Sequence, residues 1–133
     1  MANAENDVLV AADHLIRAFA RHDPEQYFAA FAPDATFVFH NLDRWLRSRA
    51  EYEAEWRRWE TQDGFRVLAC ESSDRAVMIL GAVAIFTHAV RTTLLVGGET
   101  AINSERETIV FARGDDGAWL AVHEHLSART ASG

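Results

Sequence analysis

Apolar residues recur along this chain with two different periods, and the change from one to the other divides it. Val8, Ala12, Leu15, Ile16 and Phe19 fall at helical spacing, so residues from about Glu5 to Arg21 are expected to form an amphipathic helix. Asp23-Pro24-Glu25-Gln26 then restarts a helix, because Asp23 suits the N-cap, Pro24 the first helical position, and Gln26 can reach back toward the cap. That short helix carries Tyr27, Phe28 and Phe31 and is expected to stop at Pro33. Asp34 to His40, dense in Phe and Val, reads as a strand. Ser48-Arg49-Ala50-Glu51 has the form of a capping box and opens a helix to about Thr61, on which Tyr52, Trp56 and Trp59 share one face.

From Gly64 onward the period becomes two. Residues from about Phe65 to Ser72, Arg75 to Thr92, Thr100 to Arg113 and Ala118 to Ala128 are expected to make an antiparallel meander, with turns near Ser73-Asp74, Gly97-Gly98 and Asp115-Asp116-Gly117. The run from Ala76 to Phe86 is apolar on both faces, with Met78, Leu80 and Phe86 on one side and Val77, Ile79, Val83 and Ile85 on the other. A sheet with one wet face would alternate, so both faces are expected to be covered. Helices can cover one, and a second copy of the chain, ahead of the curl of the sheet itself, is expected to cover the other. The ends, Met1 to Ala4 and Arg129 to Gly133, read as loose.

The last strand carries the most conspicuous chemistry, His123-Glu124-His125. Simple alternation puts His123, His125 and Ser127 on one face with Trp119 and Ala121, and Glu124 on the other with Leu120, Val122 and Leu126. A histidine near neutral pKa suits proton abstraction if it faces a cavity; otherwise these imidazoles bridge strands or subunits. No third ligand at useful spacing accompanies the two histidines, so no metal is expected. Glu105 and Glu107 share a face, with Arg106 opposite, and an Arg106–Glu124 ion pair across the hairpin is the favoured partner for that cation. Tyr52 and Trp56 are candidate walls of an apolar pocket, or simply core. His40, Asp43 and Trp45 fall in a polar run, His40 to Arg47, suited to a cavity mouth or to a surface ion-pair cluster.

Composition narrows the class further. A chain of 133 residues fits one domain, 1–133, large enough to bury a core of its own. The formal charge of −7 argues against nucleic acid and anionic membranes, and all 13 basic residues are Arg. A single cysteine, Cys70, fits a reducing compartment. The N-terminus lacks the pattern of a signal peptide, and the longest apolar run is too short for a membrane span. The expectation is a soluble, cytoplasmic protein.

Helix, short helix, strand, helix and a four-stranded meander ending in Trp119-Leu120-Ala121-Val122-His123-Glu124-His125-Leu126-Ser127 resembles the SnoaL-like group of the nuclear transport factor 2 superfamily. It is similar also to the association domain of calcium/calmodulin-dependent protein kinase II. The resemblance spans Asp7 to Ser127 and is strongest at Glu107-Thr108 and from Asp116 to Ser127. It implies an α+β, cystatin-like cone in the order α-α-β-α-β-β-β-β, with N-terminal helices packed in a strongly curved antiparallel sheet, a pocket between them, and homodimers. The isomerases of the superfamily set a carboxylate base opposite a tyrosine and a protonated acid. Here no tyrosine lies in the first helix, and Tyr27 and Tyr52 sit on later ones. The cyclases use a His and Asp pair, for which His40 with Asp43 or His125 with Glu124 supply the residue types. Where the kinase hubs place pocket arginines, the matching strand positions hold His88 and Ile109, with Arg106 and Arg91 as stand-ins.

Two functional expectations follow. One is an enzyme without a cofactor, a lyase, isomerase or cyclase acting on a small, mostly apolar ligand. In it His125 or His123 carries the proton, Glu124 or Asp43 is the second carboxylate, and His40, Trp45, Tyr52, Trp56, His88 and Arg106 line the pocket. The other is a non-catalytic dimeric module for ligand binding or assembly. The pattern leaves open which face of the last strand looks into the pocket.

Overall fold

The computed structural model describes residues 3–129, three helices held against a five-stranded sheet. Helix α1 (Ala4–Ala20) is capped by the Asn3 side chain and buries Val8, Ala12, Leu15 and Ile16. Helix α2 (Pro24–Ala29) has Asp23 as its N-cap, and the chain then turns directly into strand β1 (Phe31–Phe39). Phe31 therefore belongs to a strand, and Pro33 lies within it. Proline is tolerated because β1 is an edge strand and its pairing is irregular between Phe31 and Thr36, where no ladder N–H is required. Helix α3 (Arg49–Asp63) starts at Ser48, whose hydroxyl accepts from the Glu51 N–H. The Glu51 carboxylate accepts from the Arg47 N–H, one residue earlier than in a strict capping box. Gly64, in left-handed conformation, ends the helix.

The meander consists of β2 (Arg66–Leu80), β3 (Val83–Val96), β4 (Glu99–Arg113) and β5 (Trp119–Ala128). The sheet order is β1-β5-β4-β3-β2, antiparallel except that β1 runs parallel to β5. The turns at Gly97-Gly98 and before Trp119 lie where expected, but the one near Ser73-Asp74 does not exist. Those residues form a bulge inside β2, with Asp74 at φ 52°, and the chain reverses instead at Gly81-Ala82. The apolar run Ala76 to Phe86 is thus two strands of a hairpin. Its tip is a glycine and an alanine with no polar residue to mark it, which is why periodicity reads straight through.

A second bulge matters more for function. Val110 pairs with His123 and Phe111 with Ala121, so Val122 is an extra residue in β5. The insertion reverses the phase of the strand. Ala121 and Trp119 face inward together with Glu124 and Leu126, while Leu120, His123 and His125 face outward.

The core lies between the helices and the inner face of the sheet, built from Phe31, Phe37, Phe86, Ile109 and Phe111 against Val8, Leu15, Tyr27 and Trp56. The outer face is divided. Leu80, Val83, Ala112 and Leu120 form one cross-strand row and Met78, Ile85 and Val110 the next, an apolar band in which Met78 and Leu80 are more than half exposed. Beyond that band the face turns polar, through Thr87, Thr108 and His125 to Arg106 and Ser127. No helix among the described residues is long and apolar enough to cross a membrane. Of the termini read as loose, Met1, Ala2 and residues 130–133 lie outside the described residues, whereas Ala4 opens α1.

Candidate functional site

Between the helices and the inner face lies a cavity of about 90 Å³. Its walls are apolar and aromatic, including Leu15, Phe19, Phe39, Trp59 and Phe65, and its floor holds three carboxyls, Glu105, Glu107 and Glu124, with His88, Tyr27 and Tyr52. Neither Arg nor Lys lines it. The space suits a ligand on the scale of one ring, since about 30 Å³ is the share of a single water in the liquid.

The polar floor is one connected network. Strands β4 and β5 bring Glu107 and Glu124 within hydrogen-bonding reach of each other. The Tyr27 hydroxyl on α2 donates to Glu124 Oε1 at 3.1 Å and meets the Tyr52 hydroxyl of α3 at 3.0 Å. On the other side, His88 Nε2 lies 2.7 Å from Glu107 Oε1, and His88 Nδ1 lies 2.6 Å from the Ser72 hydroxyl. Ser72, His88 and Glu107 occupy adjacent strands β2, β3 and β4, so cross-strand proximity assembles the relay.

Burial decides the protonation. It raises Glu124 well above the usual carboxyl range, aided by the charge of Glu107, and it raises Glu107 as well. Two carboxyls so close cannot both ionise, and they share a proton that Glu124 holds. Burial, with the Arg75 cation nearby, lowers His88 to about 4, so its ring is neutral at physiological pH. One assignment satisfies every group: Ser72 donates to Nδ1, the Nε2–H donates to Glu107, and Glu124 donates to the same carboxylate. Burial raises both tyrosines as well, keeping their hydroxyls protonated donors. Burial pushes the Cys70 thiol, on the cavity wall, up to about 12, so it is no nucleophile at neutral pH.

A second histidine–carboxylate pair stands beside the first. His40, at the end of β1, places Nε2 2.6 Å from Glu105 Oε2.

The residues anticipated from sequence separate by face. Glu124, Tyr52 and His88 line the cavity, and His40 reaches it through Glu105. Trp56 lies behind the wall, packed 5.6 Å from the Tyr27 ring and donating to Glu60. His123 and His125 are on the outer face, outside the cavity. His123 Nδ1 is 2.8 Å from the Thr36 hydroxyl, and burial followed by the neighbouring His125 lowers its pKa. Arg106 is also on the outer face and cannot pair with Glu124, because adjacent-face parity and the Val122 bulge put them on opposite sides of the sheet. Asp43 and Trp45 are exposed in the loop after β1, where Trp45 stacks under Arg47 and Arg44 pairs with Glu55. Tyr27, Glu105 and Glu107 were not singled out as site residues. For the two glutamates the signal is their parity with Ile109 and Phe111, all on one face of β4, whereas Tyr27 on α2 has no such signal. Among the described residues no cluster of three potential ligands is placed to hold a metal.

The family model of the SnoaL-like domain matches residues 8–131, and the chain belongs to that family. Its fold is similar to that of a nuclear transport factor 2-like superfamily protein from Salmonella enterica serovar Typhimurium, with a TM-score of 0.80 and 16% identity over 96% of this chain and 92% of that one. It is also similar to a putative calcium/calmodulin-dependent protein kinase II association domain from Xanthomonas campestris, with a TM-score of 0.77 and 22% identity over 98% of this chain and 91% of that one. A ketosteroid isomerase-like protein from Erwinia carotovora matches with a TM-score of 0.78 and 17% identity over 94% of this chain and 95% of that one. At these identities the likeness is one of fold. No curated protein matches the chain.

Proposed function

We propose that the protein is a cofactor-independent enzyme that moves protons on a small, mostly apolar molecule bearing a carbonyl or hydroxyl oxygen, as an isomerase or lyase. The observation that carries this reading is the placement of two buried carboxyls, Glu124 and Glu107, beside each other on the floor of an apolar cavity, with Tyr27 on one and His88 on the other. A carboxyl kept neutral by its surroundings can donate to a developing oxyanion, and in a water-poor site that donation is worth far more than in solution. A substrate oxygen arriving between the two carboxyls takes over the Glu124 hydrogen bond, while His88 continues to hold Glu107 as a carboxylate. Tyr27 and Tyr52 keep Glu124 oriented through the change. With no cation in the lining, carboxylate or phosphate substrates are disfavoured. The names of structural neighbours, one of them ketosteroid isomerase-like, agree with this chemistry without identifying a substrate.

The test is deuterium uptake at the carbon beside the carbonyl of single-ring probe ketones such as cyclohexenone, incubated with the protein in D2O and followed by mass spectrometry. Exchange well above the buffer rate is expected. Probes that occupy the cavity by NMR yet exchange no faster than in buffer would favour the second reading, a non-catalytic binding or assembly module. That alternative draws on the outer face, whose apolar rows resemble an interface rather than a wet surface. We propose that two copies pair through the band of Leu80, Val83 and Leu120 in either case, in the cytoplasm. A monomer at micromolar concentration by sedimentation would overturn the pairing.

A further inference from the structure

We infer that the outer face of the sheet carries a second binding site, a groove that takes the phosphate group of a small hydroxylated molecule. It stands apart from the proton-transfer reading. The groove encloses about 760 Å³ and lies beyond the apolar band, where the face turns polar. His88 and Glu107 belong to both cavities, but their side chains are buried and joined to each other on the inner side, so they give the groove only backbone.

Strand register builds the site. Thr87, Thr108 and His125 stand opposite one another on β3, β4 and β5, and the next row on the same face is Ala89, Arg106 and Ser127. Neighbours within a row are about 5 Å apart at Cβ, and the two rows are about 7 Å apart along the strands. Arg106, Thr108, His125 and Ser127 are therefore the corners of one patch, small enough for all four side chains to reach a single oxyanion. The ladder continues one residue past β5, where the Arg129 N–H donates to the Ser104 carbonyl at 3.0 Å. That pairing brings a second guanidinium to the groove.

The chemistry of the lining selects an anion. Each guanidinium presents paired N–H donors that match two oxygens of a phosphate, and the hydroxyls and the imidazole add single hydrogen bonds. Neither guanidinium is neutralised within the protein. Among the described residues Arg106 and Arg129 make no ion pair, whereas Arg44, Arg49, Arg58 and Arg75 do. Asp74 borders the groove from β2, with the whole of β3 between it and Arg106. The inner cavity has the opposite character, three carboxyls and no cation, so the two sites sort ligands by charge. Phosphate fits better than carboxylate, because its three terminal oxygens can engage both guanidiniums and the hydroxyls together. The volume left beside it, bordered by Thr87 and Thr108, suits ligand hydroxyls.

The experiment titrates the full chain, labelled with 15N, with glycerol 3-phosphate, inorganic phosphate and glycerol in separate arms, and follows the amide shifts by NMR. Glycerol 3-phosphate is expected to saturate shifts around Thr87, Arg106 and Ser127 at millimolar concentration or below. Inorganic phosphate should saturate the same signals more weakly, and glycerol should leave them unmoved. Arg106 is exposed, so Arg106→Ala keeps the fold; it should weaken glycerol 3-phosphate at least about tenfold, the loss expected when charge-assisted hydrogen bonds are removed. Arg106→Lys should lose less, and added salt should weaken binding in wild type. Equal affinity for phosphate and glycerol 3-phosphate would uphold the anion site and overturn the hydroxylated ligand. Shifts that grow without saturating, or saturation that survives Arg106→Ala, overturn the site itself. Ketone exchange reads the inner cavity alone, so failure there and failure here are separate results.

Discussion

The two faces of one strand carry opposite chemistry. Inward, Glu124 is buried, keeps a proton and is tied to Tyr27 and Glu107; outward, His123 and His125 sit at the surface beside Thr36 and Thr108. They are consecutive in sequence, and residue type alone would favour the histidines as proton carriers at neutral pH. Their surroundings reverse that order. Burial and a like charge raise Glu124 so that it keeps its proton, whereas burial and the neighbouring His125 shift His123 downward. Position relative to the cavity therefore counts for more than intrinsic pKa.

The contrast can be tested most strongly at neighbouring β4 residues. Phe111→Ala removes a fully buried inner ring and is expected to cost about 4 kcal/mol in denaturant unfolding, against less than about 1 kcal/mol for Val110→Ala on the outer face. Similar losses at both would mean that the outer face is as tightly packed as the inner. Next in size, Glu124→Gln keeps a neutral hydrogen-bonding group in place and is expected to slow ketone exchange about a hundredfold, with near-UV circular dichroism unchanged. His125→Ala should stay within about threefold of wild type in the same assay, well short of the factors that a general acid or base contributes. A reversed pair of results would return catalysis to the outer face.

The pH dependence of stability sharpens the comparison further. His88 is held near 4 in the folded protein against an ordinary 6.5, so the unfolded chain takes up its proton first and stability falls as pH drops through that window. Glu124 has the opposite sign. Its folded pKa is raised, so its contribution is complete below the ordinary carboxyl value of about 4.5 and is lost as pH rises through the folded value. Thermal unfolding of wild type should show both losses, and Glu124→Gln should lack most of the one that sets in as pH rises above about 4.5. An identical slope on that side in the variant would argue against the shared proton. The smallest expected change is His123→Ala, about 0.5 kcal/mol or less, since its bond to Thr36 is only part-buried.

Much of the fold was legible because the helices announce themselves at both ends. Asp23, Ser48 and Gly64 mark boundaries that the structure keeps within a residue or two. The errors within the sheet share one physical origin, irregularity in β-structure. A Gly-Ala turn inside an apolar run leaves no polar signal, and the bulges at Asp74 and Val122 each shift the strand by one residue, which inverts parity beyond them. The site was half legible for the same reason. Glu124, His88 and Tyr52 could be nominated from residue type and strand or helix position. Glu107 and Tyr27 could not be joined to them, because their meeting depends on the register between strands and on the docking of α2, neither of which is written in local spacing.

The bulge within β2 has a consequence of another kind. β2 is the free edge of the sheet, 15 residues long, and such an edge is a template on which other chains can add strands without limit. Asp74, forced to φ 52° midway along it, interrupts the row of outward backbone groups and sets a charge at the break, with Glu71 and Arg75 on either side. At the opposite edge, Pro33 and Asp34 do the same for β1. The protein can therefore carry an exposed apolar band on its outer face while both borders of its sheet resist the addition of further strands.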